Sequence, residues 1–190
     1  MILSRRLLLA APLLPLAARA QAETTLRLRG IIAAASDGSL SLVLAPDAAI
    51  SSRRRVALSE IRPGDYLGIT AEPGPEDRLR AVEVVIFPEA MRGVGEGHRP
   101  FDLTPSSTMT NATVESAVMA AEGRVLTMAF GGRQLPIEVP PGASVVTPVP
   151  AAREDLKPGA QVLITAQRDA QGQLTARRIT VSKDGVMLPM

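Results

Sequence analysis

Histidine occurs once in the 190 residues, at His98, and cysteine does not occur at all. Any histidine-centred chemistry therefore has one possible centre, and thiolate metal sites and cysteine nucleophiles are excluded. Ser106, Ser107 and Asp102 are near His98 in sequence, but a Ser-His-Asp set needs the three side chains to converge in space. One histidine does not by itself make a specific transition-metal site. Glu89, Glu96 and Asp102 supply a partial oxygen shell, and Met91 and Met109 suit copper(I), so His98, Met91 and Met109 form the candidate metal set. Gly93-Val94-Gly95-Glu96-Gly97 has the spaced glycines of a phosphate loop. His98-Arg99-Pro100 then blocks the helix whose N-terminus would hold the phosphate, so the glycines read as a chain that must bend tightly. The carboxylate pairs Glu76-Asp77 and Glu154-Asp155 stand beside turn residues and read as solvated, the second capping a short turn. No catalytic residue is assigned, and no cofactor is expected. The ligand-binding candidates are Arg92, Glu96, His98, Arg99, Phe101 and Asp102.

All of these candidates fall in one segment, 88–111, so the question becomes what holds that segment. A flexible tether is rich in Gly and Ser and poor in large side chains. This one carries Met91, Arg92, His98, Arg99, Phe101 and Leu103, which suits an ordered clasp packed on a domain face. On either side of it the chain repeats itself. Ile61–Pro88 (IRPGDYLGITAEPGPEDRLRAVEVVIFP) and Leu156–Lys183 (LKPGAQVLITAQRDAQGQLTARRITVSK) align without a gap at an offset of 95. Pro63/Pro158, Gly64/Gly159, Ile69/Ile164, Thr70/Thr165, Ala71/Ala166, Leu79/Leu174 and Ala81/Ala176 are identical.

Each unit reads as a Pro-Gly turn, a strand, a polar loop and a second strand. Strict alternation in the second strand places Ala81, Glu83 and Val85 on one face and Val82, Val84 and Ile86 on the other. Upstream, Leu26–Ala34 and Leu40–Leu44 flank an Asp37-Gly38 turn signal, and Ala112–Met119 and Val125–Phe130 flank Ala121-Glu122-Gly123. Matching those turns gives an offset of 85, so the second copy carries about ten more residues. Gly131–Pro140 accounts for them as a Gly-Gly turn and one more strand. Ser51–Ile61 and Ala151–Leu156 suit short helical turns over a barrel end. Arg53-Arg54-Arg55 reads as a solvated connection. With one tyrosine, three phenylalanines and no tryptophan, the cores must be small and aliphatic.

The expected fold is all-β: two tandem small OB-like barrel or sandwich repeats joined by a long Gly/Pro-containing linker. The expected boundaries are a signal peptide at 1–22, a trimmed first repeat at 23–87, the linker at 88–111, the second repeat at 112–183 and a tail at 184–190. Arg5 and Arg6, the apolar run Leu7–Ala18 and two A-x-A cleavage sites make up the signal. Ser4-Arg5-Arg6-Leu7-Leu8-Leu9 also resembles the twin-arginine export signature, so that route and the general secretory route both stay open. Cleavage after Ala22 removes Arg5, Arg6 and Arg19, leaving 18 basic against 19 acidic residues, formally −1. The basic pI of the whole chain is therefore no argument for nucleic acid. No later run approaches spanning length, so a soluble periplasmic product is expected.

The turns I-R-P-G and L-K-P-G before an I-T-A strand, the closing L-x-A-x-x-[IV] strand, and F-P-E-A-M-R-G-x-G-E-G-H-R-P-F-D-L at Phe87–Leu103, then S-T-M-T-N-A-T-V at Ser107–Val114, together resemble a family. It is a bacterial exported family of unknown function built on small β-barrel repeats, with Phe101 standing where tryptophan is expected. The resemblance implies OB-like barrels and a periplasmic location, and no activity. Its members are sometimes labelled metal transporter permeases, a label that a chain without spans after its signal contradicts. The resulting expectation is a non-catalytic binding or adaptor protein of the cell envelope, its partner an unknown small ligand or envelope protein. OB-like barrels present a groove and loops to such partners. The alternative is a periplasmic metal-handling accessory protein working through the linker around His98.

Overall fold

The computed structural model describes residues 24–33, 41–120 and 123–190. The expected signal peptide, the Asp37-Gly38 turn and Ala121-Glu122 lie outside the described residues. The fold is all-β, with eleven strands among the described residues: β1 (Thr24–Ile31), β2 (Val43–Arg55), β3 (Tyr66–Pro73), β4 (Leu79–Ile86), β5 (Gly97–Pro100), β6 (Thr108–Ala120), β7 (Gly123–Phe130), β8 (Arg133–Val139), β9 (Ser144–Pro150), β10 (Gln161–Arg168) and β11 (Leu174–Val181). They form one sheet in the order β1-β10-β11-β2-β9-β4-β3-β6-β7-β8, with β5 on the free side of β6. A parallel pairing of β8 with β4 closes β3, β4, β8, β7 and β6 into a five-stranded barrel. Single 3₁₀ turns at Leu58–Glu60 and Arg153–Asp155 are all that the expected short helices amount to.

Alternation fills the barrel. Leu67, Ile69, Ala71, Val84, Ala112, Val114, Leu126, Met128, Ile137 and Val139 point inward and are buried without an aromatic among them. That is the small aliphatic core the composition demands. Every residue of β3 from Tyr66 to Ala71 is buried, so the barrel's outer face is covered there too.

The alternation in β4 breaks at one point. Thr70 pairs with Glu83 but Ala71 pairs with Ala81, leaving Val82 as the extra residue of a β-bulge. Ala81 therefore joins Val84 in the barrel core, while Glu83 and Val85 face away from it. The expected sharing of one face by Ala81, Glu83 and Val85 does not hold, because a bulge inverts the pleat beyond it. The hairpin β10–β11 has a bulge of its own at Arg177, between the pairs Thr165–Arg178 and Ala166–Ala176. Arg177 is 95 residues after Val82.

Strand pairing does not follow the sequence division at the linker. β1 and β2 are not partners of each other; β1 pairs with β10, and β2 with β11 and β9. The hairpin β3–β4 pairs with β6, β8 and β9, all later in the chain. The ring that β7 and β8 close has no counterpart among the described strands before the linker.

The two networks nevertheless share their hydrogen bonds. Gly64 donates to Val114 as Gly159 does to Ile32, and Val56 donates to Val145 as Ala151 does to Ile50. Phe87 donates to Tyr66 as Ser182 does to Gln161. The Glu60 carboxylate accepts from the Ala57 N–H as Asp155 does from Ala152. In each case the donor residues are 95 apart.

Candidate functional site

The outer face of β3, β4 and β6 is roofed by β1, β10, β11 and β2, and a cavity of about 600 Å³ is left between them. Gly68, Thr70, Glu83, Val85, Met109 and Asn111 come from the barrel side. Arg27, Arg29, Arg53, Thr165 and Arg178 come from the other. Gly68 is required as glycine: a Cβ there would stand 2.8 Å from the Phe87 ring and 3.0 Å from Asn111 Oδ1. Without it Phe87 could not lie along this wall.

Two rows of side chains cross the cavity. On one wall, register places Arg27 beside Thr165, Thr165 beside Arg178 and Arg178 beside Ala49, across β1, β10, β11 and β2. On the other, Met109, Thr70, Glu83 and Ser144 are neighbours in the same way across β6, β3, β4 and β9. Glu83 is 3 % exposed and forms an ion pair with Arg53. Burial pushes the Glu83 carboxyl above the usual range, and the Arg53 guanidinium pulls it partly back.

The segment after β4 is built as a clasp. Tyr66 Oη and Asn111 Nδ2 both donate to the Val94 carbonyl, at 3.2 and 3.0 Å. Burial, with Glu96 adding to it, raises the Tyr66 hydroxyl pKa. Gly95 adopts φ +61°, where a Cβ would press on Asn111 Nδ2 at 3.1 Å. The single Ser107 hydroxyl proton is shared between the Phe101 and Thr104 carbonyls, each 3.0 Å from Oγ, and β5 completes the anchorage on β6. No helix follows these glycines, only this four-residue strand, so the loop has no helix N-terminus to offer a phosphate.

The sequence candidates separate on this frame. Arg99, Phe101, Met91 and Met109 line the cavity. Arg27 and Arg29 lie over the Phe101 ring, 5.7 and 5.3 Å from its centroid, distances at which a guanidinium is attracted to the ring face. Asp102 stands behind them: Arg29 donates to its carboxylate at 3.0 Å, and that bond first of all lowers its pKa. Arg92 is drawn instead to Glu89 and to the Gly64 carbonyl, and Glu96 is exposed. His98 alternates with Arg99 on β5, and its Nδ1 lies 2.9 Å from Thr110 Oγ1. It is thus turned from the wall that carries Met91 and Met109. Among the described residues no group of three or more His, Asp or Glu side chains is placed to hold a metal ion.

Arg27, Arg53, Thr165, Arg178 and Glu83 were not among the sequence candidates. They come from five strands, and no motif spans them. The available signals were the L-R-L-R alternation at Leu26–Arg29 and the pairing of Glu83 with Arg178 at the offset of 95. Arg53, read as part of a solvated connection, is in β2 and ion-paired, whereas Arg54 and Arg55 are exposed. The chain matches no family model, no curated protein and no solved structure.

Proposed function

We propose that this chain is a non-catalytic binding protein of the bacterial periplasm, built on a duplicated OB-like unit, whose inter-sheet cavity holds a small organic ligand. The carrying observation is the cavity itself: about 600 Å³, within the roughly 300–1,000 Å³ of small-molecule sites. Its walls combine apolar side chains with a few polar and charged ones, the composition that buries a ligand's body and fixes its orientation. The clasp 88–111 supplies part of that lining. The recurrence of bulges and hydrogen bonds at one offset supports the duplication. Periplasmic location is supported by the N-terminal Arg-Arg, apolar and A-x-A layout.

The test uses phenylnaphthylamine, a neutral dye that brightens in apolar sites. The wild type is expected to bind it saturably at one site. Leu163→Trp, which enlarges a side chain of the cavity wall, should abolish binding while leaving the far-UV spectrum unchanged. Its tryptophan would be unique in the chain and reports on the cavity directly. Absence of saturable binding by the wild type, or undiminished binding by the folded variant, overturns the reading.

A further inference from the structure

We propose that the cavity takes a singly charged amphipathic organic anion, a carboxylate or sulfonate head between Arg27 and Arg178 and an apolar body against the barrel wall. This rests on the cavity being a ligand site. The argument begins with charge. Among the described residues, five arginines line the cavity against one carboxylate, Glu83. Glu83 is taken by Arg53 and Arg29 is taken by Asp102, while Arg99 Nη1 donates to the Gly95 carbonyl. Arg178 is left, and so is Arg27, whose partner is the uncharged Phe101 ring. Among the described residues no carboxylate, the C-terminal one included, lies within salt-bridge distance of either.

Their placement is specific. Arg27 and Arg178 flank Thr165 on the same row, one strand to each side, so their backbones lie roughly 10 Å apart, two strand spacings. Two guanidinium groups and one hydroxyl thus project from one sheet face into one cavity, all of them donors. Two cations on one sheet face sum to a positive potential over the cavity mouth, which concentrates anions there. The matching row on the other wall has Met109 where this row has Arg27, and Glu83, already neutralised, where it has Arg178. The two remaining cations are therefore on one wall, and much of the large apolar surface is on the other. Phe87, Met91, Val94 and Met109 face whatever the arginines hold. A bare inorganic anion would leave that apolar surface uncovered, which is why the ligand must carry a body.

The matched probes are anilinonaphthalene sulfonate and phenylnaphthylamine, which share their rings and differ by the sulfonate. The sulfonate is expected to bind the wild type about tenfold more tightly or better, the yield of a charge-assisted hydrogen bond, and to weaken as salt is raised. Arg27→Gln with Arg178→Gln should remove that preference and leave the neutral probe's affinity unchanged, showing that the variant still folds. Equal affinities in the wild type, or a preference that survives the double substitution, overturn the anion assignment while the cavity reading stands. Failure of both probes to bind overturns the two together.

Discussion

Glu83 occupies the wall of a cavity, nearly inaccessible to water, with Arg53 as the charged partner that holds it there. Its carboxyl ionises less readily in the folded chain than in the unfolded one, chiefly through burial. The native state therefore retains a proton that the unfolded state has already released. The stability this group contributes is complete below about 4.5, the ordinary value, and declines as pH rises through the folded pKa. Asp102 acts in the opposite sense: its lowered pKa gives a contribution present at neutral pH and lost on acidification. Comparing wild type with Glu83→Gln isolates the first effect. The two should be nearly equal in urea midpoint at pH 4, with the variant gaining on the wild type toward neutrality; a constant difference across that range would show that Glu83 does not titrate this way. Little of this was legible in the sequence. Glu83 stood in an alternating strand and Arg53 in an apparent loop, and only the bulge at Val82 and the β2–β9 pairing bring them together. Phe101, by contrast, stood out at once as a large apolar residue in a Gly/Pro segment, and it lines the site.

The elements set by local chemistry were the legible ones. The Pro-Gly turns before β3 and β10 place glycine at φ +91° and +88°, conformations a side chain would oppose, and the hairpins follow within a residue or two of expectation. The Gly131-Gly132 turn and β8 were readable for the same reason. The β1 and β2 partners were not, because a strand's neighbours are chosen by burial across the molecule rather than by its own residues. The clasp is an intermediate case: composition pointed to packing there, but not to which groups it contacts. Those contacts define a prediction. The β5–β6 ladder and the hydrogen bonds onto the Val94 carbonyl should slow amide exchange at Arg99, Phe101 and Ser107, whose N–H groups are paired to backbone carbonyls. Exchange there should be at least about a hundredfold slower than in an unstructured chain, the effect of roughly 3 kcal/mol of local opening. Exchange at unstructured rates would make 88–111 a loose tether and remove Arg99 and Phe101 as fixed parts of the cavity.

At the scale of the molecule, the strands sort by where their partners lie along the chain. The barrel core, from Val56 to Val145, is drawn from one continuous stretch. The smaller cluster around Val162, Ala176, Ile179 and Val181 is not: Ile32, Leu44 and Ile50 come to it from the other end of the chain. The N-terminal strands and the C-terminal hairpin thus form one layer on a barrel that lies between them in sequence. Each layer supplies one wall of the cavity, so docking the layers is what creates it. Burial decides which layer stands alone. Among the described residues the barrel buries thirteen apolar side chains in one cluster, whereas the second cluster holds four; apolar burial is the main favourable term in folding. A fragment of residues 56–150 contains every strand of the ring and every residue of its core, at a length where single domains fold unaided. It should give a β-type far-UV spectrum and a cooperative thermal transition, yet fail to retain either naphthalene probe because the arginine wall is gone. A fragment of residues 24–110, containing β1 to β5 and ending before most of β6, should remain unfolded. If instead 24–110 folds and 56–150 does not, the folding unit follows the proposed duplication rather than the strand pairing, and the cavity lies between two independently folded halves.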